Sequence, residues 1–567
     1  MLKTGSQTML ISLPERVRDY VHNALPHDLA AGLTGATAGA PQAMGFAILA
    51  GISPLYGLYT AIVSTIVGAL TGSSAYMTTG PTNALALVLG STLTHYSGGD
   101  VVTRMITLTM LVGVIQLAFG LLRLGGLTRY VSVAVMTGFI TGAALLIIIG
   151  QVRHLTAIEA ANGSTGLESI LHLVEHASTL GVATTVIGVF TMIVIHRLHH
   201  TQLKPFATLV AIVLTGVWIA VTGWDAHGVE LVRDMSTIPS QLPGPKLPDP
   251  GMMPELLTSA LAIALLGLVQ TAALAQSLAQ QYKTDVHITH EFLGQGACNT
   301  VGALFQGMPA GGSLSRTAVN ISAGARTRLA NLYAGVFVAL IILLFGGWIE
   351  RVALAALAGH LVVAALSLIS REQIVFVWRA GLPSRAAMLI TLASTLALPL
   401  EYSIYVGVAL SLLLYIGLSS HVNISRLEPA GDTFRETAVP EHLPDAEPVI
   451  LQVTGNLYFA AARDMQAKLP NPAGTARPVV ILRLRGDELL AGTGIALLST
   501  YAERLRARNG LLLLCGVGDQ AIAALNKTSA MHGINSECVF RADDTLLTSM
   551  RSALTYAQQW LETHEPG

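Results

Sequence analysis

A single arginine, Arg316, stands inside a long apolar part of the sequence. It follows two glycines and two serines in the run GGSLSRTAVN at 311–320. A guanidinium keeps its charge at every working pH, so a membrane interior that holds one must also supply an anionic partner. Glycines and hydroxyls before it are typical of the start of a half-helix, where unpaired N–H groups and the positive end of the helix dipole attract anions. The run therefore predicts an anion site at mid-membrane depth, and its candidate binding residues are Ser315, Arg316 and Thr317.

An earlier run, MTTGPTN at 77–83, has similar chemistry without the arginine. Its Thr78 and Asn83 have the same spacing as Ser315 and Asn320. Two polar segments interrupted by glycine or proline, at corresponding places in two halves, are typical of transporters built from repeats, in which facing half-helices form the substrate site. The alternative is a glycine-rich loop between two membrane helices. The candidate binding residues in this run are Thr79, Gly80 and Thr82.

A third polar interruption, APQAMGF at 40–46, lies in the first long apolar segment. Pro41 would free a backbone carbonyl and break the helix, and Gly45 would let another backbone approach closely. Gln42 could then turn its amide donors toward the same cavity as the half-helices, and Phe46 is included with it as a candidate site residue. The alternative is a proline kink in which Gln42 bonds a neighbouring helix.

The eighth apolar segment places Gln270 at apparent mid-membrane depth, as a further candidate binding residue. An amide can bond a ligand but cannot take up a proton at any relevant pH. The acidic residues noted near the segments fall at predicted segment ends, where solvated interfacial positions are expected; they are Glu255, Glu291, Glu350 and Glu401. We therefore expect no proton coupling through the eighth segment.

Two histidine groups have spacings that metal sites use, and they lie at 196–200 and 287–290. Both groups fall at predicted segment ends, so polar caps are expected there rather than ligands. The sequence has no HExxH, GxSxG or Walker loop. These patterns indicate neither an enzyme nor an ATP-driven pump, and we expect no cofactor and no metal.

The composition is that of a membrane protein. Of the 567 residues, 52% are hydrophobic and 11% are charged, whereas soluble domains have about 25% charged residues. The net charge of −1 gives no bulk basicity that would indicate nucleic acid. From residue 28 onward, apolar segments recur that can span, or nearly span, about 30 Å of hydrocarbon in a lipid bilayer. The predicted spans are 29–50, 53–72, 76–94, 104–122, 130–151, 179–196, 205–222, 255–280, 291–308, 313–325, 329–348, 351–369, 385–400 and 402–418.

These fourteen spans divide into seven plus seven, and the two half-helix candidates are third in each set. An odd number of spans per repeat makes the second repeat inverted relative to the first. Lys and Arg near the span ends are concentrated on the side that holds the N-terminus, so we expect both termini on the cytoplasmic side of the plasma membrane. Residues 1–27 lack a signal-peptide core and are expected to form a cytoplasmic interfacial helix before a transport domain at 28–419.

The last part of the chain has a different pattern. A polar stretch at 420–446 is expected to be a linker, and 447–567 alternates strands and helices as a small α/β domain does. The predicted strands are 448–453, 478–484 and 510–517. The predicted helices are 461–469, 494–508, 520–532 and 544–562.

These motifs make the chain similar to the SulP family of anion transporters. The resemblance rests on PQAM at 41–44, PLYGLY at 54–59, TGPT at 79–82, the run at 313–320 and the ninth span at 291–299. The tail resembles a STAS domain, through GNLYFAA at 455–461 among other features. Its AGTG run at 491–494 has Ala491 where anti-sigma-factor antagonists have aspartate, so control by phosphorylation at Thr493 is not favoured.

The resemblance implies the inverted-repeat fold of uracil transporters, an α-helical polytopic membrane protein with a cytoplasmic α/β STAS domain. A core domain would carry the anion near Gln42 and the backbone amides of 79–82 and 315–317. It would move against a gate domain that commonly forms a homodimer contact, and a cytoplasmic protein is a possible partner of the STAS domain. Members thought to be proton-coupled often have a glutamate where this chain has Gln270.

We therefore expect secondary active transport of a small anion by alternating access. Sulfate-like anions, bicarbonate, chloride and dicarboxylates all fit an amide-lined site, because such sites discriminate by geometry. One alternative is a nucleobase carrier on the same fold, although such carriers use acidic side chains to hold the base. Another is a membrane sensor that binds ligand and signals through the STAS domain.

Overall fold

A computed structural model of the chain describes residues 18–95, 100–126, 132–158, 180–201, 203–419, 421–431, 433–455, 459–484, 492–528, 534–545 and 547–564. The chain divides into two compact units, Met1–Ser411 and Leu412–Gly567. Most of the predicted N-terminal helix lies outside the described residues. Its last part is a π-helical turn, Tyr20–Ala24, that continues into the first long helix.

Each predicted span coincides with one helix among the described residues, which confirms the helical membrane architecture. The helices are α1 (Leu25–Leu49), α2 (Pro54–Thr71), α3 (Asn83–His95), α4 (Val101–Leu121), α5 (Val133–Thr156), α6 (Val182–His199), α7 (Ala207–Thr222), α8 (Met253–Tyr282), α9 (Ile288–Leu304), α10 (Leu314–Ser322), α11 (Leu329–Ile349), α12 (Leu354–Leu368), α13 (Leu382–Ala397) and α14 (Leu400–Ser419).

The third and tenth spans are shorter than the others, as predicted. In the part of the chain that the structure describes, eight helices are long and apolar enough to cross a membrane by themselves. By contrast, α3 has 13 residues and α10 has nine, which at the rise of an α-helix is about 20 Å and about 14 Å. Each of the two is preceded by a short strand, β1 (Thr79–Pro81) before α3 and β2 (Ala310–Gly312) before α10, that supplies part of the remaining depth.

The helix break predicted at Pro41 is not present, because α1 continues through this residue to Leu49. The neighbouring helix α2 packs very closely against α1 just beyond the proline. A Cβ added to Gly57 of α2 would lie 2.0 Å from the carbonyl oxygen of Ala43. Such close packing holds the helix in line although Pro41 cannot donate a backbone hydrogen bond.

One helix between α12 and α13, Arg371–Arg379, was not expected from the apolar segments. It has a single buried residue, Val377, and charged residues at both ends. A sequence this polar and this short produces no span signal, although its spacing suits a helix that lies on a surface.

Glycines allow the closest helix contacts in the membrane unit. A Cβ on Gly138 of α5 would lie 2.3 Å from the carbonyl oxygen of Met388 in α13, and one on Gly359 of α12 would lie 2.7 Å from that of Gly188 in α6. Elsewhere, a Cβ on Gly113 of α4 would lie 2.5 Å from the backbone nitrogen of Thr300 in α9. These contacts join α5 to α13, α6 to α12 and α4 to α9.

The second unit is built on a six-stranded sheet with the order β4-β3-β5-β6-β7-β8. Strands β5 to β8 are parallel to one another, and β3 runs antiparallel to both β4 and β5. Helices pack on this sheet around a core rich in Val, Ile and Leu. The elements are β3 (Asn423–Ala430), β4 (Thr433–Thr437), β5 (Pro448–Thr454), α15 (Phe459–Lys468), β6 (Val479–Arg483), α16 (Gly492–Arg506), β7 (Leu511–Val517), α17 (Asp519–Lys527), β8 (Val539–Arg541) and α18 (Thr548–Thr563).

The stretch predicted as a linker, 420–446, differs from expectation because it contains β3 and β4. Val422, Ile424 and Leu427 from this stretch are buried in the same core as the rest of the sheet. Only these few apolar residues stand in a polar stretch, separated by Asn423, Ser425 and Arg426, which hides the strand in the sequence. Ala491 lies outside the described residues, whereas Thr493 falls in the first turn of α16.

A polypeptide of residues 421–567 should therefore be more stable than one of residues 440–567. The shorter chain loses three buried side chains and leaves the edge of β5 without a partner strand. We expect its melting temperature to be lower by roughly 10 °C or more, or the chain to aggregate. Circular dichroism melting curves of the two polypeptides measure this, and equal melting temperatures would show that β3 and β4 do not belong to the folded domain.

Candidate functional site

A two-stranded sheet lies where both half-helices begin. Strand β1 (Thr79–Pro81) pairs antiparallel with β2 (Ala310–Gly312), and Gly80 lies opposite Gly311. All residues of both strands are buried. Helix α3 follows β1 and helix α10 follows β2. Because the strands are antiparallel, the two half-helices leave the pair at opposite ends.

Side chains of the surrounding helices form hydrogen bonds with backbone groups of this strand pair. Thr65 of α2 donates a hydrogen bond to the carbonyl oxygen of Thr79 at 2.8 Å. The backbone N–H of Gly312 donates to the hydroxyl of Thr271 in α8 at 3.1 Å. Backbone that is not helical is tolerated at membrane depth only where its polar groups are bonded, and these hydroxyls meet that requirement.

Helix α9 bonds both strands. The amide of Asn299 accepts a hydrogen bond from the backbone N–H of Ala310 at 2.7 Å and donates one to the carbonyl oxygen of Ala310 at 2.9 Å. One turn earlier, Gln295 donates to the hydroxyl of Thr79 at 3.0 Å. The two side chains are buried, so α9 fixes β1 and β2 from one side.

The backbone before β1 is bonded to α10 and α11. The N–H of Thr78 donates to the hydroxyl of Thr317 at 2.9 Å, and the N–H of Ser313 donates to the carbonyl oxygen of Thr78 at 2.9 Å. Asn331 of α11 accepts from the Thr78 hydroxyl at 2.6 Å and donates to the Met77 carbonyl oxygen at 2.9 Å. The start of α10 is thereby tied to the chain that enters β1.

Arg316 lies in the first turn of α10 and is 5% exposed. Its guanidinium packs against α1 and β1: a Cβ on Gly39 would lie 2.9 Å from Nη2, and one on Gly80 would lie 2.0 Å from Nη1. None of its three side-chain nitrogens has a hydrogen-bond partner among the described residues. A buried charge with no partner is costly, so this position has the chemistry of a site for an anion.

Gln42 and Ser315 lie beside this guanidinium, as the sequence predicts. Nε2 of Gln42 donates to the Ser315 hydroxyl at 2.9 Å, and Gln42 is buried. Ser315 itself is exposed, so the protein does not cover the first turn of α10 at this position next to Arg316. The structure thus brings these three residues together, and their contact with substrate stays a prediction.

The hydroxyls of three other candidates are bonded within the protein. The Thr79 hydroxyl accepts a hydrogen bond from Gln295, and the Thr317 hydroxyl accepts one from the N–H of Thr78. The Thr82 hydroxyl accepts one from the N–H of Leu85 at 3.4 Å, in the first turn of α3. Each hydroxyl is the acceptor in these bonds and keeps its own O–H as a donor, so it could still bond an anion. The backbone N–H of Thr317 is bonded to the carbonyl oxygen of Ser313 at 3.0 Å.

Of the remaining three candidates, Gly80 packs against Nη1 of Arg316 as described above, whereas Phe46 and Gln270 do not share one environment. Phe46 is 3% exposed and belongs to an apolar cluster with Leu85, Phe139 and Leu361, so its environment is that of a core residue. Gln270 is half-buried and directly precedes Thr271, which bonds β2. Its Oε1 is buried without a hydrogen-bond partner in the described part of the chain.

Two carboxylates are buried, although the sequence predicts a solvated position for Glu291 and no role for Asp28. Glu291, expected at a solvated span end, is fully buried at the start of α9 and accepts from the N–H groups of Ser73 and Ser74 at 2.8 and 2.7 Å. Asp28 is fully buried in α1 and accepts from the N–H of Thr327 at 3.0 Å. Both carboxylates hold loops beside the half-helices, where backbone amides compensate their charge.

The amide side chains of α9 and α11 were also missed. Gln295, Asn299 and Asn331 interrupt predicted spans as single polar residues, and polar groups within a membrane need partners. The polarity of these three residues is visible in the sequence, but it does not indicate which groups they bond. The histidines at 196–200 and 287–290 are exposed at helix ends, which agrees with polar caps.

Opposed half-helices that meet at a buried strand pair, within a bundle of membrane spans, define a membrane transporter built from inverted repeats. The chain belongs to the sulfate permease family, which it matches over residues 25–393. Residues 438–540 match the STAS domain. Its function is therefore transport of anions across a membrane, and it is not an enzyme.

Relatives and solved structures agree with this assignment. The chain is 31% identical to the "Probable sulfate transporter" of Mycobacterium tuberculosis, over 72% of this chain and 73% of that protein. The fold is that of the murine anion transporter Slc26a9, with a TM-score of 0.83 over 98% of this chain and 97% of that one, at 18% identity. The transmembrane domain of a cyanobacterial bicarbonate transporter, BicA, is similar over 68% of this chain and 97% of its own length, with a TM-score of 0.58 at 23% identity. These likenesses confirm the predicted fold class.

Gly80→Ala should displace the Arg316 side chain, because the added methyl would lie 2.0 Å from Nη1. We expect anion uptake into proteoliposomes to fall on the order of 100-fold, as a displacement of about 1 Å at a site can cause. Gly150→Ala is the matched control, since no atom lies within 4 Å of the methyl that it adds. Unchanged uptake in the Gly80 variant would show that the position of this guanidinium does not matter.

Proposed function

We propose that this transporter carries a sulfate-like oxyanion, bound beside Arg316 between the start of α3 and the start of α10. The observation that supports this most directly is the buried guanidinium, which has no hydrogen-bond partner among the described residues. Gln42 and Ser315 would be the neighbouring polar side chains, and the backbone amides of 79–82 and 315–317 would supply partial positive charge.

An oxyanion fits this chemistry better than a spherical halide. The guanidinium presents its donors in a planar fork, which matches two oxygen atoms of one anion. Sulfate and bicarbonate, named in the descriptions of the relatives above, both offer such a pair of oxygens. Helix N-termini and a single arginine also bind less tightly than a closed cage of cations, which allows the release that transport needs.

Alternating access would move the strand pair together with the helices that bond it. The hydrogen bonds described above join α2, α8 and α9 to β1 and β2, and they join α10 and α11 to the chain that enters β1. The glycine contacts join α5 to α13 and α6 to α12. We therefore assign the first group of helices to a core domain that carries the anion and the second group to a gate domain.

The cellular arrangement is part of the same proposal. The chain spans the plasma membrane many times with both termini in the cytoplasm, because Lys and Arg near the span ends favour that side. The gate domain forms a homodimer contact, and the STAS domain binds a cytoplasmic partner or regulates transport.

The other functions considered have less support. A nucleobase carrier needs acidic side chains at its site, whereas the described side chains that bond the strand pair are hydroxyls and amides. A sensor that does not transport would not be expected of a chain that belongs to a permease family over most of its membrane unit.

Replacing the guanidinium tests the proposal directly. Arg316→Ala should reduce sulfate uptake on the order of 100-fold or more, because a charge-assisted contact is lost, and Arg316→Lys should restore part of it. Uptake into proteoliposomes and the thermal shift on adding sulfate both measure this. Arg197→Ala, at an exposed position at the end of α6, is the control. Wild-type uptake in the Ala variant would remove Arg316 from the mechanism.

The side chain at 270 determines the pH dependence that we expect. With an amide there, sulfate affinity should change little between about pH 5.5 and 8. Gln270→Glu should weaken binding at neutral pH, where the new carboxylate is charged and repels the anion, and acidification should restore it as the carboxylate takes up a proton.

Uptake of sulfate against pH, with and without an imposed proton gradient, measures this effect. Gln276→Glu, which adds the same charge to an exposed position of α8, is the matched control. Accumulation driven by a proton gradient in the unmodified protein would contradict the expectation and place the proton site elsewhere.

A further inference from the structure

Three polar side chains of α9 follow one another at intervals of four residues, so they lie along one side of the helix. They are Glu291, Gln295 and Asn299, and we call them the α9 ladder. Each bonds a different part of the non-helical chain: Glu291 holds the loop before β1, Gln295 holds β1, and Asn299 holds β2. One straight helix therefore contacts both strands of the site.

The contact of Asn299 resembles that of a neighbouring strand. Its amide accepts from the N–H and donates to the carbonyl of the same residue, Ala310. Such a two-way contact fixes both the position and the orientation of the β2 backbone, as strand pairing does. Gln116 of α4 also accepts a hydrogen bond from Asn299 at 2.8 Å, which locks the amide in this orientation.

Only a few residues separate β2 from Arg316, so a shift of the β2 backbone would also shift the proposed anion site. Ala310 begins β2, Ser313 caps α10, and Arg316 lies in its first turn. On the other strand, Gln295 bonds Thr79 at the beginning of β1. The α9 side chains that bond β1 and β2 are one helical turn apart, about 6 Å along the helix, so α9 acts as a spacer between the two half-helix starts.

We propose that Asn299 is a positioning residue that sets the width of the anion site and thereby the preference between small and large anions. This inference rests on the proposed function, since it concerns the same site. Asn299 itself does not touch the anion; it acts through β2. A side chain that only satisfied buried backbone groups would affect the amount of folded protein, whereas one that sets the width of the site changes the order of preference among anions.

The experiment compares Asn299→Ala, which removes both contacts with Ala310, and Asn299→Gln, which keeps the amide but lengthens the side chain by one methylene. Cys298→Ala is the matched control, because it alters the adjacent buried residue of the same helix. In proteoliposomes, chloride, nitrate, bicarbonate and selenate are tested as inhibitors of sulfate uptake. The readout is the ratio of the inhibition constants for chloride and selenate, which does not depend on how much protein is active.

We expect this ratio to change on the order of 10-fold in at least one Asn299 variant and to stay at the wild-type value in the Cys298 variant. If the Ala variant does not fold, the Gln variant gives the same test, and anion-dependent thermal shifts replace uptake where transport is too slow. A wild-type ratio in every folded Asn299 variant, or an equal change in the Cys298 variant, would overturn the inference. Failure of the proposed function would be separate: it would show as wild-type uptake in Arg316→Ala.

Discussion

Backbone polar groups in an apolar interior must be bonded, and this requirement organises the centre of the membrane unit. Two strands of three residues each interrupt the helices there, so part of their N–H and C=O groups cannot be satisfied within the pair. Thr65, Thr271 and Asn299 bond those groups from three different helices. The strand pair is therefore stabilised by hydrogen bonds from the surrounding helices, because two strands of three residues form few hydrogen bonds with each other.

The same centre holds a charge that is paired with no side chain in the part of the chain that the structure describes. The buried carboxylates Asp28 and Glu291 accept from backbone amides of nearby loops and not from Arg316. The starts of two half-helices add further partial positive charge. Such a potential can be balanced by a mobile anion, and it would be lost if a carboxylate of the protein formed an ion pair with the guanidinium. The lack of an ion pair between Arg316 and a described carboxylate is thus a condition of the proposed transport.

Much of this organisation could be predicted from the sequence. Apolar segment lengths gave the spans, and the interruptions around Thr79 and Ser315 gave the half-helices. The proximity of Gln42 to Arg316 was expected from the polar interruption of the first span and from the family resemblance, although the helix break assumed in the first argument is not present. Three things could not be predicted. The partners of Gln295 and Asn299 depend on tertiary contacts, and the burial of Glu291 contradicts the usual place of a carboxylate at a span end. Strand β3 has only a few apolar residues within a polar stretch.

Helix α1 holds the short helix α10 at both of its ends. Gln42 bonds Ser315 at the start of α10, and Asp28 bonds the N–H groups of Arg326 and Thr327 in the turn that follows it. Because both ends of this nine-residue helix are bonded to α1, α10 has little freedom to slide or tilt relative to α1. We expect α1 and α10 to travel as one body, so that the donors around Arg316 keep the same arrangement whichever side of the membrane they face. Such a carrier would present the same binding groups to an anion arriving from either side of the membrane.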